Sequence, residues 1–496
     1  MSRSTWAVAS LLAIAVPLSQ GCRDDTAPAG PSFAADSRAA LSESSERPRH
    51  LVVFANERTP ADFADRVAAL GGSVERVIGG VGLAVVTGLA DDVANSLATS
   101  PDVRAVERDL RLDPVGLVEP AAELPPVVDE QVVIANDGSP TSAAFYARQW
   151  HLRAVSADAA WARGHLGSPA VSVAILDSGI DYLHPDLEGR VDLSRSISLV
   201  PALDAQVAAL FPGRHPITDL NFHGTATTGL IVSNAIHLAA ITQRTTVFGV
   251  KVHDGVLGSP ISVYFAGIVH AVEQGADVIH MSFGGLFSRR EHPGLVAAVN
   301  RVVNFAERRG VVLVTYSGNT AAPVNVVGGP GDYDHDRDRF GFCVAPHVIC
   351  VSATGPTSAA SLDGPWTDVD AISPFSNFGR SAIDVAAPGG APLRQVGPGG
   401  GVWVLCPLTT QVDEVFPFIQ CRLGAGLLIS PGAGTSWSAA KTSGLAALLV
   451  AALGKGNPAR IRARILESAD DLGEPGADPY YGRGRINVGR ALGTLP

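Results

Sequence analysis

Over residues 50–112, apolar and polar positions alternate in two different rhythms. LVVF (51–54) reads as a strand and TPADFADRVAALGG (59–72) as an amphipathic helix. SVERVIGGVGLAVVTGL (73–89) predicts two strands around a glycine turn. ADDVANSLATSPD (90–102) predicts a second helix, and VRAVERDLRL (103–112) a last strand. The order β-α-β-β-α-β is that of a small ferredoxin-like α+β domain. From Phe145 the pattern changes to short, continuous apolar runs: VSVAILD (171–177), VFGVKV (247–252), DVIHMS (277–282), VVLVTYS (311–317) and VICVSA (348–353). Runs without alternation are strands buried on both faces. Helical stretches such as ISVYFAGIVHAVEQ (261–274) and GLVAAVNRVVNFAERR (294–309) lie between them. The expected fold is therefore α/β, a doubly wound and mostly parallel sheet covered by helices, preceded by the small domain. Sites in such sheets gather at the carboxyl ends of the strands.

Composition narrows the partners. The chain has 496 residues, too many for one ordinary core, so two or more domains are expected, and 46% hydrophobic with 17% charged suits a well-buried globular protein. Its net charge is −11 and no basic cluster interrupts the sequence, which excludes nucleic acid as an expected partner. Arg3 precedes the apolar run WAVASLLAIAVPL, the plan of a cleavable secretory signal over residues 1–21. The run is too short for an ordinary membrane span. Its end, LSQGC, resembles a bacterial lipoprotein signal in which Cys22 takes a lipid, although Leu18 stands one place further from the cysteine than usual. Plain secretion with an incidental cysteine is the alternative, so a membrane enters only through that one lipid. Residues 22–49 and 113–144 lack an apolar period and read as a tether and a linker. With Cys22 set apart, Cys343, Cys350, Cys406 and Cys421 form an even set, as export would favour. Three connectivities are open, with the local pairs Cys343–Cys350 and Cys406–Cys421 the first choice and four buried thiols the alternative. No C-x-x-C pair points to zinc.

Four residues carry candidate chemistry, and each has a bland explanation. Asp177 closes a strand and could start an Asx-turn. His223, in FHGTATTG, could be an ordinary capping residue, and Asn319, in SGN, a turn residue. Ser436, in GTSWSAAKTSG, stands where a helix N-cap would stand. Together they suit one reaction. A serine hydroxyl needs an imidazole to take its proton, and the imidazole needs a carboxylate to fix its tautomer. The developing oxyanion needs donors, and an asparagine amide is one. The chain order Asp, His, Ser differs from that of α/β-hydrolases and, with GTSWS in place of G-x-S-x-G, speaks against an esterase of that type.

The motifs AILDSGID (174–181), HPDL (184–187), HGT (223–225), GVKV (249–252), DVIHMSFGG (277–285), SGN (317–319), SPFSNFG (373–379), DVAAPGG (384–390) and GTSWSAA (434–440) occur in the order of a known family. The chain resembles the subtilisin-like serine proteases, the subtilases, over residues 145–496. The resemblance implies a serine endopeptidase acting on proteins or peptides, with Asp177 orienting, His223 as general base and then acid, Ser436 attacking, and Asn319 with the Ser436 backbone N–H holding the oxyanion. It implies that Ser282, Phe283 and Gly284 pair with an extended substrate, and that Thr315, Tyr316 and Ser317 floor the primary pocket. Those three are bulkier than the small residues often found there, so a narrowed pocket is expected. It also implies that the domain at 50–112 is an inhibitory propeptide, removed by self-cleavage between about Asp109 and Tyr146. The alternative function is a catalytically silent subtilase fold used for binding.

Four features depart from the family pattern. Trp437 to Lys441 replace the usual residues after GTS, and Ala226 replaces a histidine after HGT. Residues 391–430 form a long insertion, expected to be a disulfide-pinned hairpin near the cleft that controls access. The loop GDYDHDRDRFG (331–341) alternates Asp332, Asp334, Asp336 and Asp338, but Arg337 and Cys343 stand where an EF-hand needs Gly and Glu. A solvated loop is favoured over calcium there. The chemistry requires no cofactor and no metal ligand is assigned, with structural calcium left open.

Overall fold

The structure is a computed structural model that describes residues 48–112, 138–255, 258–285, 287–319, 341–410, 421 and 428–496. The predicted signal at 1–21, Cys22, most of the predicted linker at 113–144 and the acidic loop at 331–340 lie outside the described residues.

The sheet of the small domain runs in the order Ser73–Ile78, Leu83–Thr87, Arg49–Phe54, Val103–Arg108, with antiparallel neighbours throughout. Helices Phe63–Ala69 and Asp91–Ser96 complete the ferredoxin-like plan. Val52, Phe54, Phe63, Val67, Ala84 and Val86 form its own core. Alternation along the strands puts Leu51, Val53, Leu83 and Val85 on the opposite face, in the core shared with the larger domain.

The last predicted strand of this domain is two strands in the structure. Val103–Arg108 stays in the small sheet, while Arg111–Leu112 pairs antiparallel with Ser259–Pro260 of the larger domain. Around this break, two carboxylates meet two helix N-termini. Asp109 accepts hydrogen bonds from the Ser262 backbone N–H (3.0 Å) and hydroxyl (2.6 Å), at the start of helix Ile261–Glu273. Glu107 accepts from the Gly294 N–H at 2.7 Å, at the start of helix Pro293–Arg308. Free N–H groups and the positive end of the helix dipole favour negative charge there.

The larger domain is built on a seven-stranded parallel sheet. Its order is Val385–Pro388, Val348–Thr354, Val312–Tyr316, Val278–Met281, Ser172–Asp177, Thr246–Lys251, Ile197–Ser198. Both faces are covered. Val173 and Ile175 belong to one core together with helices His223–Ile231 and Thr435–Leu453. Ala174 and Leu176 belong to the other, with helices Ile261–Glu273 and Pro293–Arg308. The sequence reading did not single out the helix Pro201–Leu210, which is short and only half-buried.

The 391–430 insertion is part of the core. Strands Val402–Leu405 and Ile429–Gly432 form an antiparallel hairpin. Trp403 is fully buried, the Trp150 indole N–H donates to the Gly401 carbonyl at 3.0 Å, and Leu405 lies against Gly229 of the helix bearing His223. Disulfides join Cys343 to Cys350 and Cys406 to Cys421. The second closes the end of this hairpin across a sequence separation of 15. A loop of that size restricts the unfolded chain by about 3 kcal/mol in the chain-entropy view. Replacing Cys406 and Cys421 with serine should therefore lower the unfolding free energy by about that amount in a denaturant titration. An unchanged midpoint would contradict the bridge.

Candidate functional site

Asp177 and His223 meet because the strand Ser172–Asp177 ends beside the helix His223–Ile231. Three side chains bind the first turn of that helix. Asn221 Oδ1 accepts from the His223 N–H, Ser178 Oγ from the Gly224 N–H, and Asp219 Oδ2 from the Thr225 N–H. Gly224 is required by close approach: a Cβ there would lie 2.0 Å from the Gly179 carbonyl oxygen. So HGT and DSG need each other sterically, and their contact sets the histidine.

His223 Nδ1 donates to Asp177 Oδ1 at 2.8 Å, with Oδ2 at 3.0 Å. The carboxylate also accepts from the Ser178 N–H at 2.7 Å and from the Thr227 hydroxyl at 3.3 Å. Burial pushes the Asp177 carboxyl up, but His223, its hydrogen bond and the more distant His253 outweigh burial and hold it at about 2. Its folded value lies below the unfolded carboxyl's ~3.9. The stability this gives is complete above that value and is lost as pH falls toward 2. Asp177 therefore stays ionised throughout the range in which an imidazole titrates.

With its Nδ1–H committed to Asp177, neutral His223 has its lone pair on Nε2. That nitrogen and the Ser436 hydroxyl are both buried, and neither has a hydrogen-bond partner among the described residues. Ser436 begins helix Thr435–Leu453, and the next residue, Trp437, lays its ring 5.3 Å from the His223 imidazole. The helix Thr435–Leu453 thus faces the helix that bears His223 across the core.

Asn319 is anchored to the same helix start. Its Oδ1 accepts from the Thr435 N–H (2.8 Å) and hydroxyl (2.7 Å). Those two donors fix which side of the amide is oxygen, and leave the NH₂ to point elsewhere. Gly318, at φ +105°, makes the turn possible, and a Cβ there would sit 2.4 Å from Asn377 Nδ2. SGN and SPFSNFG are therefore one packed unit.

The strands Val278–Met281 and Val312–Tyr316 are adjacent, with Met281 opposite Thr315. Ser282–Gly284 and Thr315–Ser317 consequently lie side by side at the carboxyl edge of the sheet. Ser282, Phe283, Thr315, Tyr316 and Ser317 are buried. Phe283 stacks on Tyr264 at 4.1 Å. The Tyr316 hydroxyl donates to the Gly284 carbonyl at 3.0 Å and so bridges the two walls.

Several neighbours had no role assigned from the sequence. Asp219 ties Ser178, Asn221 and Thr225 together, and burial pushes its carboxyl up. Lys251 donates to the Thr218 carbonyl, and burial lowers its amine to about 8. Lys441, one turn beyond Ser436, is fully buried and donates to the carbonyls of Pro388 (2.9 Å) and Trp437 (3.2 Å). Burial drives its amine well below the usual lysine range. The signal for Lys441 was visible as a lysine inside an apolar helix. Among the described residues no cluster of His, Cys, Asp and Glu could hold a metal ion.

A parallel sheet with these groups at its carboxyl edge defines a class of hydrolase, and comparison with known proteins places it. The chain belongs to the subtilase family, whose model matches residues 168–484. It is accordingly a serine endopeptidase, of a family that needs no cofactor for catalysis. It is 28% identical over 338 residues to subtilisin J of Geobacillus stearothermophilus, covering 67% of this chain and 68% of the relative. With thermitase of Thermoactinomyces vulgaris it shares 26% over 357 residues, 71% of this chain and 99% of the relative. Among solved structures it is similar to a lanthipeptide protease, at 25% identity and TM-score 0.53, covering 70% of this chain and 96% of that one. The epidermin leader peptide processing serine protease of Staphylococcus aureus shares the fold at 20% identity and TM-score 0.65, covering 90% of this chain and 98% of that one.

Proposed function

We propose that this chain is an exported endopeptidase, made as a self-inhibited zymogen, that cleaves peptide bonds with Asp177, His223 and Ser436 as its triad. One observation carries this reading. His223 has spent its Nδ1–H on Asp177, while its Nε2 lone pair and the Ser436 hydroxyl are both buried and unpaired among the described residues. An aligned substrate brings such groups into hydrogen-bond range. His223 then takes the Ser436 proton as oxygen attacks the carbonyl carbon, and returns it to the leaving amine. Asn319 Nδ2 and the Ser436 backbone N–H hold the oxyanion, and the helix N-terminus adds to the stabilisation.

The contacts of the small domain support the zymogen part. Arg111–Leu112 adds a strand to an edge of the larger domain, the mode in which an extended peptide binds. Residues 50–112 would be the inhibitory segment, 113–144 the linker that is cut, and 145–496 the mature enzyme. Export rests on the signal-like residues 1–21 and the two disulfides, and a lipid on Cys22 would keep the enzyme at the cell envelope. Structural calcium stays a separate question, answered by melting with and without chelator.

Labelling with a fluorophosphonate probe tests the central claim. The mature chain should label at Ser436, and the Ser436→Ala variant should not label. A processed wild type that fails to label would favour the binding scaffold.

Substrate choice follows from Tyr316. If Ser282–Gly284 and Thr315–Ser317 line the primary pocket, the Tyr316–Gly284 bridge crosses it and leaves room for a small side chain. Tyr316→Gly should raise kcat/KM for peptides with Phe or Leu before the cut, relative to Ala, by about ten- to a hundredfold. An unchanged ratio across such a series would overturn this assignment of the pocket.

A further inference from the structure

We propose that His253 is a second imidazole partner of Asp177, a positioning residue that tempers the pull of the carboxylate on His223 and extends activity to lower pH. The proposal rests on the triad reading above. His253 follows the strand Thr246–Lys251 by two residues, on the side of Ser172–Asp177 away from Val278–Met281. Its ring is fully buried. The Gly255 N–H donates to His253 Nδ1 at 2.9 Å, which leaves the proton of the neutral ring on Nε2. That Nε2 stands 3.9 Å from Asp177 Oδ1 and has no hydrogen-bond partner among the described residues. The ring is held in place by Tyr264, at 6.2 Å, and by Phe283, at 6.4 Å.

The geometry sets an N–H dipole within 3.9 Å of a buried carboxylate that also holds His223. A buried donor without an acceptor is costly, and the charge of Asp177 is what this one faces. The positive end of that dipole offsets part of the field that Asp177 exerts on His223. With less field, the His223 imidazolium is less stabilised, and the base stays free to lower pH. Other charged or titratable groups surround the pair. Asp254 adjoins His253 in the chain, Tyr264 faces it from helix Ile261–Glu273, and Asp219 and His280 flank the Asp177–His223 couple. Burial pushes the His253 imidazole below its usual range, against the pull of Asp177.

The test compares His253→Phe and His253→Leu, which lack the N–H, with His253→Gln, whose amide can restore it. In the two apolar variants the acid limb of the kcat/KM profile should move up by about half a pH unit or more. In His253→Gln it should return at least halfway. The ring titration of His223, followed by NMR in the Ser436→Ala background, should move by the same amount. That readout does not depend on turnover, so a silent triad and a failed role for His253 give different results. An acid limb and a ring titration unmoved, or moved to lower pH, in a folded apolar variant would overturn the proposal. If His253→Leu does not fold, His253→Phe keeps an aromatic ring beside Tyr264 and Phe283 and gives the same reading. A His253→Gln profile no nearer to wild type than the apolar variants would show the effect to be packing alone, and would overturn it too.

Discussion

Ser436→Ala should lower peptide hydrolysis by about a millionfold. In subtilisin itself, removal of the serine costs about 2 × 10⁶ in turnover, and removal of the whole triad costs about the same. There the groups act as one unit. On the proposed reading, loss of Ser436 leaves the His223 lone pair no proton to take, and the Asp177–His223 hydrogen bond orients an idle base. Adding His223→Ala to Ser436→Ala should therefore change little, and a large further loss would show that the two residues do not work together. The substitution removes one buried hydroxyl that has no partner among the described residues, so stability should hold. If the chain processes itself, the variant should also stay uncut, with residues 50–112 still attached. An electrophoretic mobility equal to that of the processed wild type would remove the self-cleavage part of the reading.

Asn319→Ala is the second large loss, about 10²–10³ in kcat with KM little changed, because the oxyanion exists only after attack. Here the residue also binds Thr435 through its carbonyl, so alanine removes two hydrogen bonds at the start of the nucleophile helix. Asn319→Asp separates the two roles. It keeps an oxygen for the Thr435 donors but replaces the amide NH₂ with a second acceptor. If the oxyanion role holds, the aspartate variant should be as slow as alanine while melting close to wild type. A fast aspartate variant would assign Asn319 to structure alone.

The sequence made some of this legible for physical reasons. The strands around Asp177 and Asn319 are buried on both faces, so they stand out as continuous apolar runs, and polar residues at their ends are conspicuous. HGT and SGN carry glycines because the Gly179 carbonyl and the Asn377 amide lie 2.0 and 2.4 Å from where a Cβ would be. Other features depend on neighbours far away in the chain. Nothing local distinguishes His253 from a loop histidine, because its partner lies 76 positions earlier. The break after Arg108 is invisible in VRAVERDLRL, since Arg111–Leu112 finds its partner at Ser259–Pro260. The insertion looked like a hairpin near a cleft, yet its burial against the histidine helix came from Trp403 and Leu405 meeting a surface that the sequence does not display.

The chain contains three lysines, Lys251, Lys441 and Lys455, and their placement divides them sharply. Lys251 and Lys441 are fully buried, while the side chain of Lys455 is about half exposed, at 52%, in an ion pair with Asp277. Burial lowers both of these amines, Lys251 to about 8, yet no reagent in solution can reach them while the core is closed. The molecule thus carries two internal clocks. Acylation of Lys455 records mere exposure, whereas acylation of Lys251 or Lys441 records an opening of the sheet edge or of the nucleophile helix. Counting the acyl groups by mass would time those openings without any engineered label.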